Sequence, residues 1–270
     1  MDGTGRGPAP AIMASMQRRP LGSTGVSLSV IGFGGILVTG ETPAEAARLV
    51  ARGINRGLNY FDVAPTYGNA EQMRGPALEP YRKDVFLACK TTERSKAGAG
   101  AALRDSLTRL RTDHFDLYQM HCLASAEDVR QAFGPGGAIE AFVEARAAGL
   151  TRFLGFSAHT EQAALEAMEL FAFDTILFPL SRSSWFHGKF GPRVVERARA
   201  KGMGILALKM LGKRPWREGE RHVWSKTWYA PVESYAEALE NVRFTLSLPV
   251  TAGPCPGPEQ FLEWACDAAE

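Results

Sequence analysis

An eight-stranded parallel α/β barrel, a (β/α)8 TIM barrel with an N-terminal β-hairpin plugging the barrel bottom, is the fold this sequence predicts. Three observations predict it. Short apolar runs alternate with amphipathic segments along the chain, the pattern of repeated βα units and a parallel sheet. The 270 residues are long for an open-sheet domain but suit one barrel, which takes roughly 250. Asp62, Lys90 and His121 close three successive apolar runs, and the C-terminal ends of the strands are where a parallel barrel assembles its chemistry.

The elements follow in order. Gln17–Leu28, turning at Gly22-Ser23-Thr24-Gly25, reads as the plugging hairpin. Strands are expected at Val30–Gly34, Asn59–Asp62, Val85–Lys90, Phe115–His121, Phe153–Ser157, Thr175–Leu180, Gly204–Leu208 and Val250–Ala252. The first helix opens at Thr42 with Glu45 three residues on, a capping box, and sets Ala46, Leu49, Val50 and Ile54 on one face. Further helices are expected over Ala101–Arg111, with Leu103, Leu107 and Leu110 inward, over Ala138–Ala148, and over Glu161–Leu170 behind the cap Thr160. Lys213–Ala230 is a long irregular loop carrying Trp216, Trp224 and Trp228 with Arg214, Arg217 and Arg221. Such a loop inside a compact domain is functional or disordered, and three tryptophans argue against plain disorder. Two readings stand for it: a lid with arginines near a cofactor's pyrophosphate, or a segment packed on the barrel rim. No shift in composition divides the chain, so residues 16–270 form one domain. Residues 1–15, small and Gly/Pro-rich without a secretory apolar core, are expected to be a disordered lead, with Met13 and Met16 as alternative starts.

Composition bounds the function. Net charge is +2 with no long block of one sign, so nothing points to nucleic acid or an anionic membrane. No apolar stretch approaches the ~20 residues of a membrane helix. Cys89, Cys122, Cys255 and Cys266 lack C-x-x-C spacing and read as reduced thiols of a cytoplasmic protein. The five histidines have no zinc-ligand spacing, which leaves a metal-dependent barrel hydrolase little support. Gly32–Gly35 lacks the third glycine of a dinucleotide fingerprint, since Leu37 stands there.

The chemistry lies in four residues. Tyr67 is five positions beyond Asp62, on the loop after the second strand. A phenol, with a reference pKa of ~10, serves as a general acid near neutrality when a cation stabilises the phenolate it becomes. Lys90 suits that role, Asp62 can hold and orient the ammonium, and His121 as a neutral imidazole can donate to a carbonyl oxygen. Taken singly, the bland readings are a loop aromatic, a turn cap, a solvated strand end and a satisfied histidine. The four together at successive strand ends carry the claim.

These residues also carry a resemblance. F-D-V-A-P-T-Y-G-N-A-E, L-A-C-K-T and D-S-L-T-R-L-R-T-D-H-F-D-L-Y-Q-M-H resemble the aldo-keto reductase superfamily, and R-P-L-G-S-T-G-V-S-L-S-V-I-G-F-G-G is similar to its opening hairpin and first strand. The resemblance runs from about Gln17 to the C-terminus and is most specific between Asn59 and His121. It implies a (β/α)8 barrel, nicotinamide-dependent carbonyl reduction, and a catalytic tetrad of Asp62, Tyr67, Lys90 and His121. It also places Ser157, Leu180, Lys209, Gly253 and Glu263 at the cofactor.

The second half departs from the family pattern. Ala158 replaces an Asn that helps hold the nicotinamide carboxamide, with His159 beside it; Leu177 and Leu180 stand for a Gln and a stacking Tyr. Gly253–Glu263 matches the phosphate-binding turn loosely and holds no Lys or Arg for a 2′-phosphate, and Trp264 replaces an Asn. The reading is a reductase of an aldehyde or ketone using NADP, with NAD as competitor. Two alternatives remain open: a nicotinamide-sensing regulatory protein with little turnover, and a barrel that has lost its cofactor. Substrate and oligomeric state are not legible; Trp185, Phe186 and Trp216 are candidates for an aromatic pocket wall.

Overall fold

The structure, a computed structural model, describes residues 16–188 and 190–270; the expected lead over 1–15 lies outside them. Eight parallel strands form the barrel: β3 (Ile31–Gly34), β4 (Tyr60–Asp62), β5 (Phe86–Thr91), β6 (Phe115–Leu123), β7 (Thr151–Ala158), β8 (Thr175–Pro179), β9 (Gly204–Leu208) and β12 (Gly253–Cys255). Before them, β1 (Arg18–Pro20) and β2 (Ser27–Ser29) make the antiparallel hairpin. The outer layer is α1 (Pro43–Asn55), α2 (Ala70–Leu78), α3 (Lys96–Arg109), α4 (Ala126–Phe133), α5 (Ala138–Ala147), α6 (Glu161–Leu170), α7 (Arg182–Gly188), α8 (Pro192–Ala200), α9 (Tyr235–Ser247) and α10 (Glu259–Ala269).

The barrel closes at a staggered seam. β12 pairs with β3 through Gly253–Cys255, whereas the residues just before it bond to β9: Thr251 N–H donates to the Ile205 carbonyl and Ala207 N–H to the Ala252 carbonyl, both at 2.8 Å. The eighth strand therefore lies three residues later than its expected Val250–Ala252, because the stagger of a closed sheet lets successive residues serve different neighbours. Gly253 and Pro254, poor strand formers, hid this continuation. Gly34 sits on the seam, where an added Cβ would collide with the Cys255 carbonyl oxygen.

Alternation along each strand sorts the core. Tyr60, Phe86, Ala88, Leu117, Leu177, Leu206 and Ala252 fill the barrel interior together with Leu21 and Leu28 of the hairpin, which plug its bottom. A second, larger cluster lies between sheet and helices. Above the apolar interior layer, the same inward faces of β4, β5 and β6 carry Asp62, Lys90, Gln119 and His121.

Helix boundaries follow from caps. Thr42 Oγ1 accepts from Glu45 N–H at 3.2 Å, but the Glu45 carboxylate turns to Arg48 instead of completing the capping box. A full box forms at Ser125 and Asp128, opening α4 in a stretch where no helix is expected from the sequence. Helix α3 starts at Lys96, capped by Ser95, five residues before its expected Ala101; Gly98 and Gly100 weaken the helical signal there, and tertiary packing overrides it. Leu103, Leu107 and Leu110 are buried as expected. The 213–230 loop is framed by a short antiparallel pair, β10 (Gly212–Arg214) with β11 (Ala230–Pro231). No helix among the described residues is long and apolar enough to cross a membrane.

Candidate active site

The C-terminal mouth of the barrel holds a cleft of about 360 Å³. Asp62, Tyr67, Lys90 and His121 all line it, so the four residues singled out by sequence are brought together. Asp62 and Lys90 are buried at adjacent strand ends, and Lys90 Nζ donates to Asp62 Oδ1 and to the Val63 carbonyl at 3.3 Å. The other Asp62 oxygen accepts from Gln119 Nε2 at 3.2 Å. Burial opposes the Lys90 charge, but Asp62 and its other neighbours outweigh it, and the pKa lies above the ordinary value. The ammonium is held and stays charged.

Tyr67 is positioned by its own loop. Its N–H donates to the Ala64 carbonyl at 3.1 Å, and its carbonyl accepts from Ala70 N–H at 3.1 Å and from Thr39 Oγ1 at 2.9 Å. The ring is half-buried, with Lys90 Nζ 5.0 Å from its centroid and the His121 ring edge-on at 6.0 Å. Burial raises the phenol pKa, and Lys90 pulls against it. His121 is pushed down to about 3 by burial and then by Lys90, so it is neutral across the physiological range.

Sequence reading missed three contributors, Gln119, Arg74 and Tyr229, and named a fourth, Trp228, only as part of the 213–230 loop. Gln119 lies two residues before His121 on β6, hence on the same inward face, and period-two alternation could have found it. Arg74 of α2 is fully buried beneath the tetrad, donating to the Asp62 carbonyl at 2.7 Å and the Phe33 carbonyl at 3.2 Å; burial pulls its pKa to about 10. Trp228 and Tyr229 line the cleft, Trp228 with its ring 5.3 Å from that of Tyr67. Only their aromatic character signalled them.

The expected cofactor residues divide. Ser157 and Lys209 line the cleft, as do His159 and Leu177. Ser157 Oγ accepts from Cys122 N–H at 2.7 Å, which leaves its own O–H to donate. Leu180, Gly253 and Glu263 are not among the lining residues. Leu180 is buried on the outer side of the barrel, its side chain against Gly191, because it follows the end of β8. Gly253 is spent on the seam, its N–H on the Val30 carbonyl and its Cα against Met210. Glu263 faces α1 and pairs with Arg52 and Arg56. The expected aromatic wall is also elsewhere: Trp185 and Phe186 pack on Phe244, and Trp216 stacks on His222.

The 213–230 loop packs on the rim through its own contacts. Arg214 makes a two-pronged pair with Glu220, Trp224 packs on Phe261, and Lys226 donates to the Leu37 carbonyl at 2.8 Å and pairs with Glu41. None of its three arginines lines the cleft.

A nicotinamide ring suits one end of this cleft. Leu177 and Leu208 give apolar walls, Ser157 offers a donor, and the buried His159 Nδ1 has no partner among the described residues; an orphaned buried polar atom calls for a ligand or a water. The turn between β12 and α10 does not suit a phosphate. Pro254, Pro256 and Pro258 carry no N–H, and the Lys226 side chain lies where a Cβ on Gly257 would be. Among the described residues no group of His, Cys, Asp and Glu could hold a metal ion.

Comparisons with known proteins agree with this geometry. The Aldo/keto reductase family profile matches residues 30–223, which include the tetrad. YqkF of Bacillus subtilis (strain 168), described as an uncharacterized oxidoreductase, is 33% identical over 156 residues, 53% of this chain and 49% of YqkF. The 6-dehydroglucose reductase of Novosphingobium aromaticivorans is 30% identical over 187 residues, 58% of this chain and 62% of that protein. The chain thus spans about half to three-fifths of these relatives' length. The aldo-keto reductase AKR11C1 from Bacillus halodurans, in its holo form, superposes with a TM-score of 0.73 at 26% identity, covering 94% of this chain and 91% of that one. With the profile spanning most of the barrel and the tetrad assembled at its mouth, the chain belongs to the aldo/keto reductase family.

Proposed function

We propose that this protein interconverts an aldehyde or ketone and the corresponding alcohol, with Tyr67 giving the carbonyl oxygen its proton. The observation that carries the reading is the buried Lys90 ammonium, fixed by Asp62 and lying 5.0 Å from the centre of the Tyr67 ring. A reduced nicotinamide, when bound, supplies the hydride that the carbonyl carbon takes up. Tyr67 Oη loses its proton to the oxygen as negative charge develops there, and Lys90 stabilises the phenolate left behind. His121, neutral, orients the carbonyl by donating to the same oxygen. Ser157 and His159 would hold the carboxamide, and Leu177 would lie against the ring.

NADP is the expected cofactor by family habit. NAD is favoured because, among the described residues, the cations beside α10 and the turn before it, Arg48, Arg52, Arg56 and Lys226, are all paired with carboxylates. Titration with NADPH and with NADH, read by tryptophan fluorescence, tests the reading. Micromolar binding of either, with turnover of a carbonyl panel lost in Tyr67→Phe, supports it; no binding of either at millimolar concentration sinks it. The proline-bearing β12–α10 turn favours a second reading, a barrel that keeps the acid–base group but has lost the dinucleotide or turns over little as a sensor. That reading expects the same titration to be flat, or saturable without turnover.

A further inference from the structure

The charged side chains buried among the described residues are Asp62, Glu71, Arg74, Lys90 and Asp116. Asp116 is taken by Arg82 and Arg152, Glu71 by Arg109 at 3.0 Å, and Asp62 by Lys90. Arg74 is left over. It makes no ion pair among the described residues, and it reaches Asp62 through the backbone carbonyl alone. A buried charge without a counter-charge is costly, and a guanidinium does not escape that cost by losing its proton near neutrality. The layer beneath the tetrad therefore carries one positive charge in excess.

The fold keeps Arg74 there with incomplete compensation. Its guanidinium clamps the ends of β3 and β4 through the Phe33 and Asp62 carbonyls, at 3.2 and 2.7 Å. It lies 5.1 and 5.8 Å from the ring centres of Phe33 and Phe61, whose π faces offset part of the desolvation. Its Nε is buried with no acceptor among the described residues. Tyr67 stands on the loop 63–69, which leaves β4 at Asp62 and enters α2 at Ala70. Arg74 of α2 joins those two ends, so the phenol and the surplus charge belong to one short arch. Of the other titratable groups nearby, His121 from β6 is neutral. Burial keeps the phenols of Tyr60 from β4 and Tyr229 from the 213–230 loop protonated, and the Cys89 thiol from β5 as well. Asp62, Lys90 and Arg74 thus set the charge that Tyr67 meets.

We propose that Arg74 is a positioning residue for the proton donor, a second buried cation whose charge, left unbalanced by the Asp62–Lys90 pair, favours the Tyr67 phenolate and makes Tyr67 a stronger acid. The bearing on catalysis rests on the reductase reading; the electrostatic effect does not. A phenolate cancels the surplus, and such a cancellation is worth more in a poorly polarisable interior than in water. Burial raises the phenol's pKa first, Asp62 adds to it, and Lys90 and Arg74 pull against both. An arginine with a merely structural role would hold the arch without moving this ionisation.

NMR on protein with tyrosine isotopically labelled at the hydroxyl-bearing ring carbon tests the inference without turnover. The Tyr67 signal is assigned by its loss in Tyr67→Phe and followed as pH rises. Arg74→Gln keeps a donor for the Asp62 carbonyl but removes the charge, and it should weaken the ionisation of Tyr67 about tenfold. Arg74→Lys keeps the charge but loses the two-pronged clamp, and it should hold the ionisation constant within threefold whatever it does to the melting temperature. Unchanged ionisation in Arg74→Gln overturns the inference, as does equal weakening in both variants, which would assign the effect to the clamp. One arm needs no variant: in the unaltered protein Tyr67 should ionise before Tyr60 and Tyr229, and a Tyr67 that titrates with them or later overturns the inference. Where a carbonyl is turned over, Arg74→Gln should lower kcat with KM little changed and move the alkaline limb of the pH profile upward. If the ionisation depends on the charge at Arg74 but no carbonyl is turned over, the electrostatic effect stands and the reductase reading falls.

Discussion

At the residue scale, the tetrad is built on a buried charge that is not left alone. Lys90 and Asp62 are each almost fully buried, and removing one partner strands the other. Lys90→Met should therefore lower stability by about 3–5 kcal/mol in chemical denaturation. Adding Asp62→Asn should recover part of the loss, and a purely additive double-mutant cycle would contradict the coupling. Lys90 Nζ lies 5.0 Å from the centre of the Tyr67 ring, and Tyr67→Phe keeps that ring, so it should leave the denaturation midpoint nearly unchanged. If the proposed role is right, it should reduce turnover by about 10²–10⁴-fold, the usual worth of a general acid. The two buried imidazoles set a pH dependence. Their folded pKa values, about 3 for His121 and about 4 for His159, lie below the ordinary 6.5. As pH falls from 6.5 toward 4 the unfolded chain takes up protons that the folded chain refuses, so stability falls with pH across that window. Melting temperature against pH should be flatter there in a His121→Gln, His159→Gln double variant, and an unchanged slope would count against buried neutral imidazoles.

At the element scale, strand ends gather the tetrad and loops border the cleft it lines. β4, β5 and β6 each bring one tetrad residue to the rim because inward positions repeat every second residue. The sequence showed this alternation well, and Gln119 was as accessible to it as His121. The 213–230 loop was not legible in the same way. Its contacts, Trp224 on Phe261, Lys226 on Leu37 and Glu41, and Trp228 over Tyr67, join residues far apart in sequence, and no local pattern announces them. Lys226 fastens this loop to the segment after β3, so Lys226→Met should speed proteolytic cleavage within 213–230 while the barrel's unfolding midpoint moves little. Cleavage at the unaltered rate would show that the aromatic contacts alone hold the loop.

At the scale of the whole molecule, closure is the vulnerable feature. The seam leaves no room beside Gly34, where a Cβ would meet the Cys255 carbonyl. Gly34→Ala should cost at least about 2 kcal/mol, since overpacking a tight site forces backbone shifts. Because Cys255 lines the cleft, the same change should weaken any ligand held there; an unaltered melting temperature would show that the seam yields freely. The hairpin caps the other end. Gly22, at φ +52°, packs so closely on the Gly202–Gly204 backbone that a side chain has no space, which ties the plug to the loop before β9.

Local pattern determined the architecture of this protein and the gathering of four polar residues at one barrel mouth. The βα alternation, the plugging hairpin and the positions of Asp62, Tyr67, Lys90 and His121 are properties of short segments, each readable from its own periodicity, and a barrel brings successive strand ends together without further information. The end of the cleft around Ser157 and Lys209 is different. Whether Leu180 faces the cleft or the outer shell, whether Glu263 meets a ligand or Arg52 and Arg56, and whether Lys209 finds a counter-charge depend on neighbours contributed by distant elements. Burial and electrostatic pairing are sums over those neighbours, so only the folded chain assigns them.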